Sequence, residues 1–92
     1  MKHVEVEMLS EAINCPVIHI PGRKFPGVVL QGDSLQILLG LAEDIEEMTD
    51  PLSNPELSAV VATLKGKLSG YVNEYDATMK VHGYELPYPN RN

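Results

Sequence analysis

Tryptophan is absent from this 92-residue sequence, phenylalanine and cysteine occur once each, and 7 Lys and Arg stand against 13 Asp and Glu. Each scarcity excludes something. Without Trp and with a single Phe, Leu, Ile, Val and Met must fill any core. A lone cysteine, Cys15, rules out an intrachain disulfide and suits a reducing cytoplasm. Beside Pro16 in a β-leaning stretch it reads as a small buried hydrophobe. A net charge of −6 leaves no general basic face to displace counterions from nucleic acid. The same charge disfavours an anionic membrane surface. No window reaches the roughly 18 apolar residues of a membrane span, and Met1–Glu5 lacks the apolar core of a signal peptide. The expected location is cytoplasmic.

What is present is the composition of a soluble globular protein, 43% hydrophobic and 22% charged. The length fits one domain over residues 1–92, with residues 84–92 as an extended C-terminal tail. A chain of this size buries only about 60–65% of its unfolded surface, so self-association is an expected source of further core.

Residues 4–13 are ambiguous. Val4, Val6 and Met8 alternate as a strand does, whereas Met8, Leu9, Ala12 and Ile13 fit a helical turn. A short strand or extended arm passing into a turn is expected, ended by Asn14-Cys15-Pro16. Val17–Ile20 is a β run, with His19 directed outward between inward Ile18 and Ile20. Gly27–Gln31 is a second run, and the Pro- and Gly-rich loop 21–27 between them makes a long hairpin. Asp33, followed three residues later by Gln36, predicts a capped helix start. Leu35, Leu38, Ala42, Ile45 and Met48 supply its face, widened by Ile37, Leu39 and Leu41. Thr49-Asp50-Pro51 stops that helix. Asn54 as cap and Pro55 in the first turn open a second one. Its apolar positions run from Leu57 through Val60, Val61, Leu64, Leu68, Tyr71, Val72 and Tyr75 to Met79. Gly83 closes it. Gly66 and Gly70, four apart, suit close approach of another helix backbone.

The fold class is therefore α+β: an antiparallel β-hairpin, with a third N-terminal strand as an option, packed by two helices in the order β-β-α-α. A two-stranded sheet is marginal alone. Homodimerisation through the long helix or the hairpin follows as an expectation.

Gly32-Asp33-Ser34-Leu35 spells the nucleophile motif of the GDSL hydrolases, and a strand before a helix is where that family holds its serine. Those enzymes are built on a larger doubly wound domain with a late Asp-x-x-His pair. Here the histidine after Ser34 is His82, with Met79 three residues before it. Without an oriented imidazole the serine has no activating base. No catalytic residue and no enzyme activity are expected.

Two binding surfaces remain. Arg23, Lys24 and Phe25 occupy the hairpin loop, and Gln31, Asp33 and Ser34 lie at the helix start. Free amides there favour an anion, so a small-ligand or anion site using both segments is the alternative reading. For a protein partner the candidate surfaces are the Arg23–Phe25 loop and the run Glu43, Asp44, Glu46, Glu47 and Asp50, the latter expected to suit a basic partner. It has no calcium-loop spacing. His3, His19 and His82 show no metal spacing. No metal and no cofactor are expected.

Ile20-Pro21-Gly22-Arg23-Lys24-Phe25-Pro26-Gly27-Val28-Val29-Leu30-Gln31-Gly32-Asp33-Ser34-Leu35 resembles a segment of an uncharacterised family of small bacterial domains. The resemblance implies a bacterial, cytoplasmic, intact domain and assigns no catalytic residue. The expected function is a small non-enzymatic interaction or regulatory module that recognises a protein partner or itself. Immunity-type or antitoxin-type neutralisation of a basic partner is its concrete form.

Overall fold

A computed structural model describes residues 1–11 and 14–89. It is α+β, in the order β1 (Glu7–Met8), β2 (Val17–His19), β3 (Gly27–Val28), α1 (Gly32–Met48) and α2 (Pro55–Val81). Two compact units divide the chain, Met1–Gln31 with the strands and Gly32–Asn92 with the helices.

The optional third strand is present. The sheet is antiparallel throughout with β2 central, pairing Glu7 with His19 and Met8 with Ile18 on one side. On the other side Val17 pairs with Val28 and Ile18 with Gly27. The strands are shorter than their β-prone runs, since Leu30 and Gln31 lie beyond β3. Val17 anchors the first connection: its carbonyl accepts from Leu9 N–H at 2.8 Å, and its own N–H donates to Ser10 Oγ at 3.0 Å. Ala12 and Ile13, half of the predicted helical turn, lie outside the described residues.

Cys15 is exposed, not buried, and has φ +61°. The following proline disfavours the right-handed helical region. The chain reverses through the left-handed one, which costs an L-residue about 1–2 kcal/mol. In the hairpin loop, Arg23 N–H donates to the Ile20 carbonyl at 3.1 Å, with Gly22 at φ +85°. Proline followed by positive-φ glycine is the signature of a type II turn. That turn exposes Ile20, correcting its inward assignment. His19 is half-buried, and its Nε2 lies 2.7 Å from the Arg23 carbonyl. A carbonyl only accepts, so the proton sits on Nε2.

In the helical unit α1 and α2 pack as an antiparallel hairpin. Glu46 meets Lys65 at 2.7 Å near the connecting loop, and Leu35, Leu39 and Val72 form the core with Leu68 against it. Gly32 is buried against Tyr75 at the far end, where a methyl in place of its hydrogen would stand 2.6 Å from Tyr75 Oη. The buried line of α1 is Gly32, Leu35, Leu39 and Ala42, and that of α2 is Val61 and Val72. Leu38, Ile45 and Met48, assigned to the main face of α1, are exposed. Leu57, Val60, Leu64 and Tyr71 of α2 are exposed as well. A two-helix contact covers one narrow stripe per helix, and both helices carry wider apolar surfaces than that.

The capping box is not formed. The helix begins at Gly32, so Asp33 lies inside the first turn and accepts from its neighbour Ser34 N–H at 2.8 Å. The Gln36 side-chain oxygen is enclosed without a hydrogen-bond partner among the described residues. Asp33 still complements the helix dipole. Asn54 stands at the start of α2 but makes no side-chain cap bond, and Pro55 fills the first turn as expected. Asn54 contributes its backbone instead, with its N–H donating to the Asp50 carbonyl and its carbonyl accepting from Ser58, both at 2.9 Å.

The interhelical turn rests on Asp50, whose carboxylate accepts from Leu52 N–H at 2.9 Å and Ser53 Oγ at 2.6 Å. The Ser53 bond, then the Leu52 bond, hold its pKa below the ordinary aspartate value. A folded pKa below the unfolded one gives stability that is complete above the unfolded value, about 3.9, and lost as pH falls through the folded one. Acidification below about pH 4 should therefore lower the exchange protection of the Leu52 amide relative to its intrinsic rate at each pH. Asp50→Asn should flatten that response in an NMR pH series. An unchanged Leu52 exchange profile in Asp50→Asn would refute the assignment.

The C-terminal end of α2 is a Schellman motif. Gly83 has φ +74°, Tyr84 N–H donates to the Met79 carbonyl at 2.9 Å, and Gly83 N–H donates to Lys80 at 3.2 Å. The tail then returns to α2. Tyr88 donates its hydroxyl proton to Asp76 Oδ1, and its ring lies 6.5 Å from that of Tyr75. Leu86 and Tyr88 of the tail are half-buried, whereas Tyr84 is exposed. Asn90–Asn92 lie outside the described residues.

Candidate functional site

The sequence-predicted site residues divide between the two units. Arg23, Lys24, Phe25 and Gln31 belong to the strand unit. Asp33, Ser34, Glu43, Asp44, Glu46 and Glu47 belong to the helical unit. In the loop, Lys24 Nζ stands 5.4 Å from the centre of the Phe25 ring, and that ring is 73% exposed. An exposed cation–π contact contributes about 0.5–1 kcal/mol, enough to order the pair locally. Gln31 is exposed after β3.

At the helix start, the Asp33 carboxylate occupies the Ser34 amide. That is where an anion would need a donor. The acidic run does not act as one cluster. Glu46 is bonded to Lys65, and Asp50 is committed to the interhelical turn. Successive residues turn by about 100°, so Asp44 and Glu47, three apart, lie about 60° from each other on α1 and clear of Glu46. Both are exposed. Among the described residues, no group of His, Cys, Asp and Glu is arranged to hold a metal ion.

Sequence reasoning missed two features. One is a groove of about 390 Å³ in the strand unit, lined by Glu5, Val6, Glu7, His19 and Pro21. It arises because β1 pairs Glu7 with His19, a register that composition does not show. The other lies on the helical hairpin. Leu38, Leu41, Ile45 and Met48 form an exposed stripe on α1. Leu57, Val60, Leu64 and Tyr71 form one on α2.

Counted at about 100° per residue, each stripe lies to the same rotational side of its helix's contact line. In an antiparallel pair, equal rotations from the mutual contact emerge on one side of the pair. The two stripes therefore make a single apolar face. Glu43 and Glu47 turn to the opposite side, with Asn73 and the small residues Gly66 and Ala62 of α2. Glu56, Lys67 and Glu74 fall at the outer margin of the α2 stripe, so the centre of the apolar face holds no carboxylate. The signal was present in the sequence as helices apolar over more than one stripe, but only the contact line shows which stripe remains open.

These features define an α+β chain whose helical hairpin buries one apolar stripe per helix and presents a second. The chain belongs to a family of unknown function, DUF6959, whose profile matches residues 1–88. No curated protein and no solved structure matches it. Among the described residues, no helix is long and apolar enough to cross a membrane.

Proposed function

We propose that this protein is a non-enzymatic interaction module of the reducing cytoplasm, and that the apolar face of its helical hairpin is the surface that recognises a protein. The observation that carries the reading is the face itself. On a chain with a net charge of −6, its exposed Leu, Ile, Val, Met and Tyr side chains surround a centre without carboxylates. Contiguous exposed apolar surface with a polar margin is the signature of a docking site. The acidic version of the reading, neutralisation of a basic partner, has weaker support because Glu46 and Asp50 are engaged within the fold.

The test is photo-crosslinking in the cell, with a benzophenone amino acid replacing Leu41 on the apolar face or Glu47 on the polar side. Protein adducts at position 41 should exceed those at position 47 several-fold. Equal yields, or adducts at 41 only to residues 1–31 of the same chain, would overturn the proposal.

A further inference from the structure

We infer that the protein docked on the apolar face is a second copy of this chain, the two helical hairpins closing face to face into a four-helix bundle. The inference rests on the interaction reading above and names its partner.

Area is the first argument. The stripe residues Leu38, Leu41, Ile45 and Met48 with Leu57, Val60, Leu64 and Tyr71 are 40% to 79% exposed. A fully exposed aliphatic side chain offers on the order of 100 Å² of apolar surface, so the face presents roughly 450 Å². That lies within the range of about 300–600 Å² found for the largest patch on a typical monomer, which is often functional. Two such faces brought together remove about 900 Å² of apolar surface. At the usual apolar share of about three-fifths, the whole interface is about 1,500 Å², the standard size for a stable pair.

Charge is the second. Two copies each carrying −6 repel at long range. An isologous contact places every residue of the face opposite the same face. It is tolerable only where that face is free of carboxylates. All five carboxylates of α1 lie off the centre of the stripe: Glu43 and Glu47 turn away from it, Asp33 and Asp44 fall at its outer margin, and Glu46 is held by Lys65 on the contact line. At the margin, Lys67 alongside Glu56 and Glu74 supplies both signs of charge, as a self-complementary rim requires.

Architecture is the third. Among the described residues, Leu35, Leu39, Ala42, Val61 and Val72 are the buried apolar side chains. This is a thin core for two helices of 17 and 27 residues. Four-helix bundles solve that problem by enclosing two stripes per helix around a common core.

The test is sedimentation equilibrium of the full chain over a wide concentration range, beside Leu41→Glu and Leu64→Glu. Wild type should approach twice the 10.1 kDa of one chain. Each variant should raise the dimer dissociation constant more than about tenfold while keeping its helical circular dichroism, because a carboxylate would be buried unpaired in the interface. If a variant fails to fold, the wild type still decides the matter, since its melting temperature must rise with concentration. A single-chain mass at every concentration with a concentration-independent melt, or a dimer unaffected by both substitutions, overturns the inference. The two proposals fail separately. Single-chain mass with position-41 adducts to a different protein removes the second copy and keeps the interaction module, whereas no intermolecular adducts at all removes both.

Discussion

Leu39→Ala should destabilise the helical hairpin by about 2–5 kcal/mol, whereas Ile37→Ala, two residues away, should change it by no more than about 0.5 kcal/mol. Leu39 is 2% exposed and belongs to the cluster with Leu35 and Val72, so its loss leaves a cavity between the helices. Ile37 is 64% exposed on the outer side of α1, and its replacement by a better helix former offsets part of what it loses. With so few buried side chains, the Leu39 loss consumes much of the ordinary stability of about 5–15 kcal/mol for a domain. Urea unfolding followed by helical circular dichroism, at one fixed protein concentration, measures both. Equal effects at the two positions would mean that the helices pack on a different stripe.

The second large effect has the opposite sign at two glycines and the same sign at a third. Gly66→Ala and Gly70→Ala should each stabilise α2, by up to about 1 kcal/mol apiece. Both sit inside a 27-residue helix, and a methyl added at either meets nothing within 4 Å. The close helix approach that their spacing suggested is not made, because both face away from the contact with α1. Gly32→Ala should instead cost about 1–3 kcal/mol, since its methyl would invade the Tyr75 ring. That ring is in turn flanked by Tyr88 of the returning tail. The comparison is made by thermal unfolding of the three single variants and the Gly66→Ala, Gly70→Ala pair. A destabilised pair would indicate that another backbone occupies the side of α2 that stands open here.

These glycines show how far local sequence reaches. Gly83 was legible because helix termination is local chemistry: residues at the end of α2 and immediately after it form the Schellman bonds, and only glycine takes the required φ without cost. The same holds for Pro55 in the first turn of α2, for the turn of Pro21 and Gly22, and for the stop at Thr49–Pro51. Gly66 and Gly70 were not legible in that sense. Their role depends on which side of α2 faces α1, and the sequence offers several apolar stripes at helical spacing. Asp33 failed for a related reason. The pattern with Gln36 is a local signal, but starting the helix at Gly32 places Asp33 inside the first turn.

The candidate site follows the same division. Every residue of the apolar face was recognisable as helical and apolar, yet Leu38, Ile45 and Met48 were assigned to the main contact of α1, which belongs to Leu35, Leu39 and Ala42. Sequence by itself determined the α+β class, the order of a β-hairpin followed by two helices, and the ends of α2 through Pro55 and Gly83, because these depend on backbone chemistry within a few residues. Tertiary structure alone decided which stripe of each helix is buried, which glycines are crowded, that Cys15 is exposed, and that two leftover stripes join on one side of the hairpin. The physical reason is that helical periodicity specifies a direction around one axis, whereas burial requires knowing where the second axis lies.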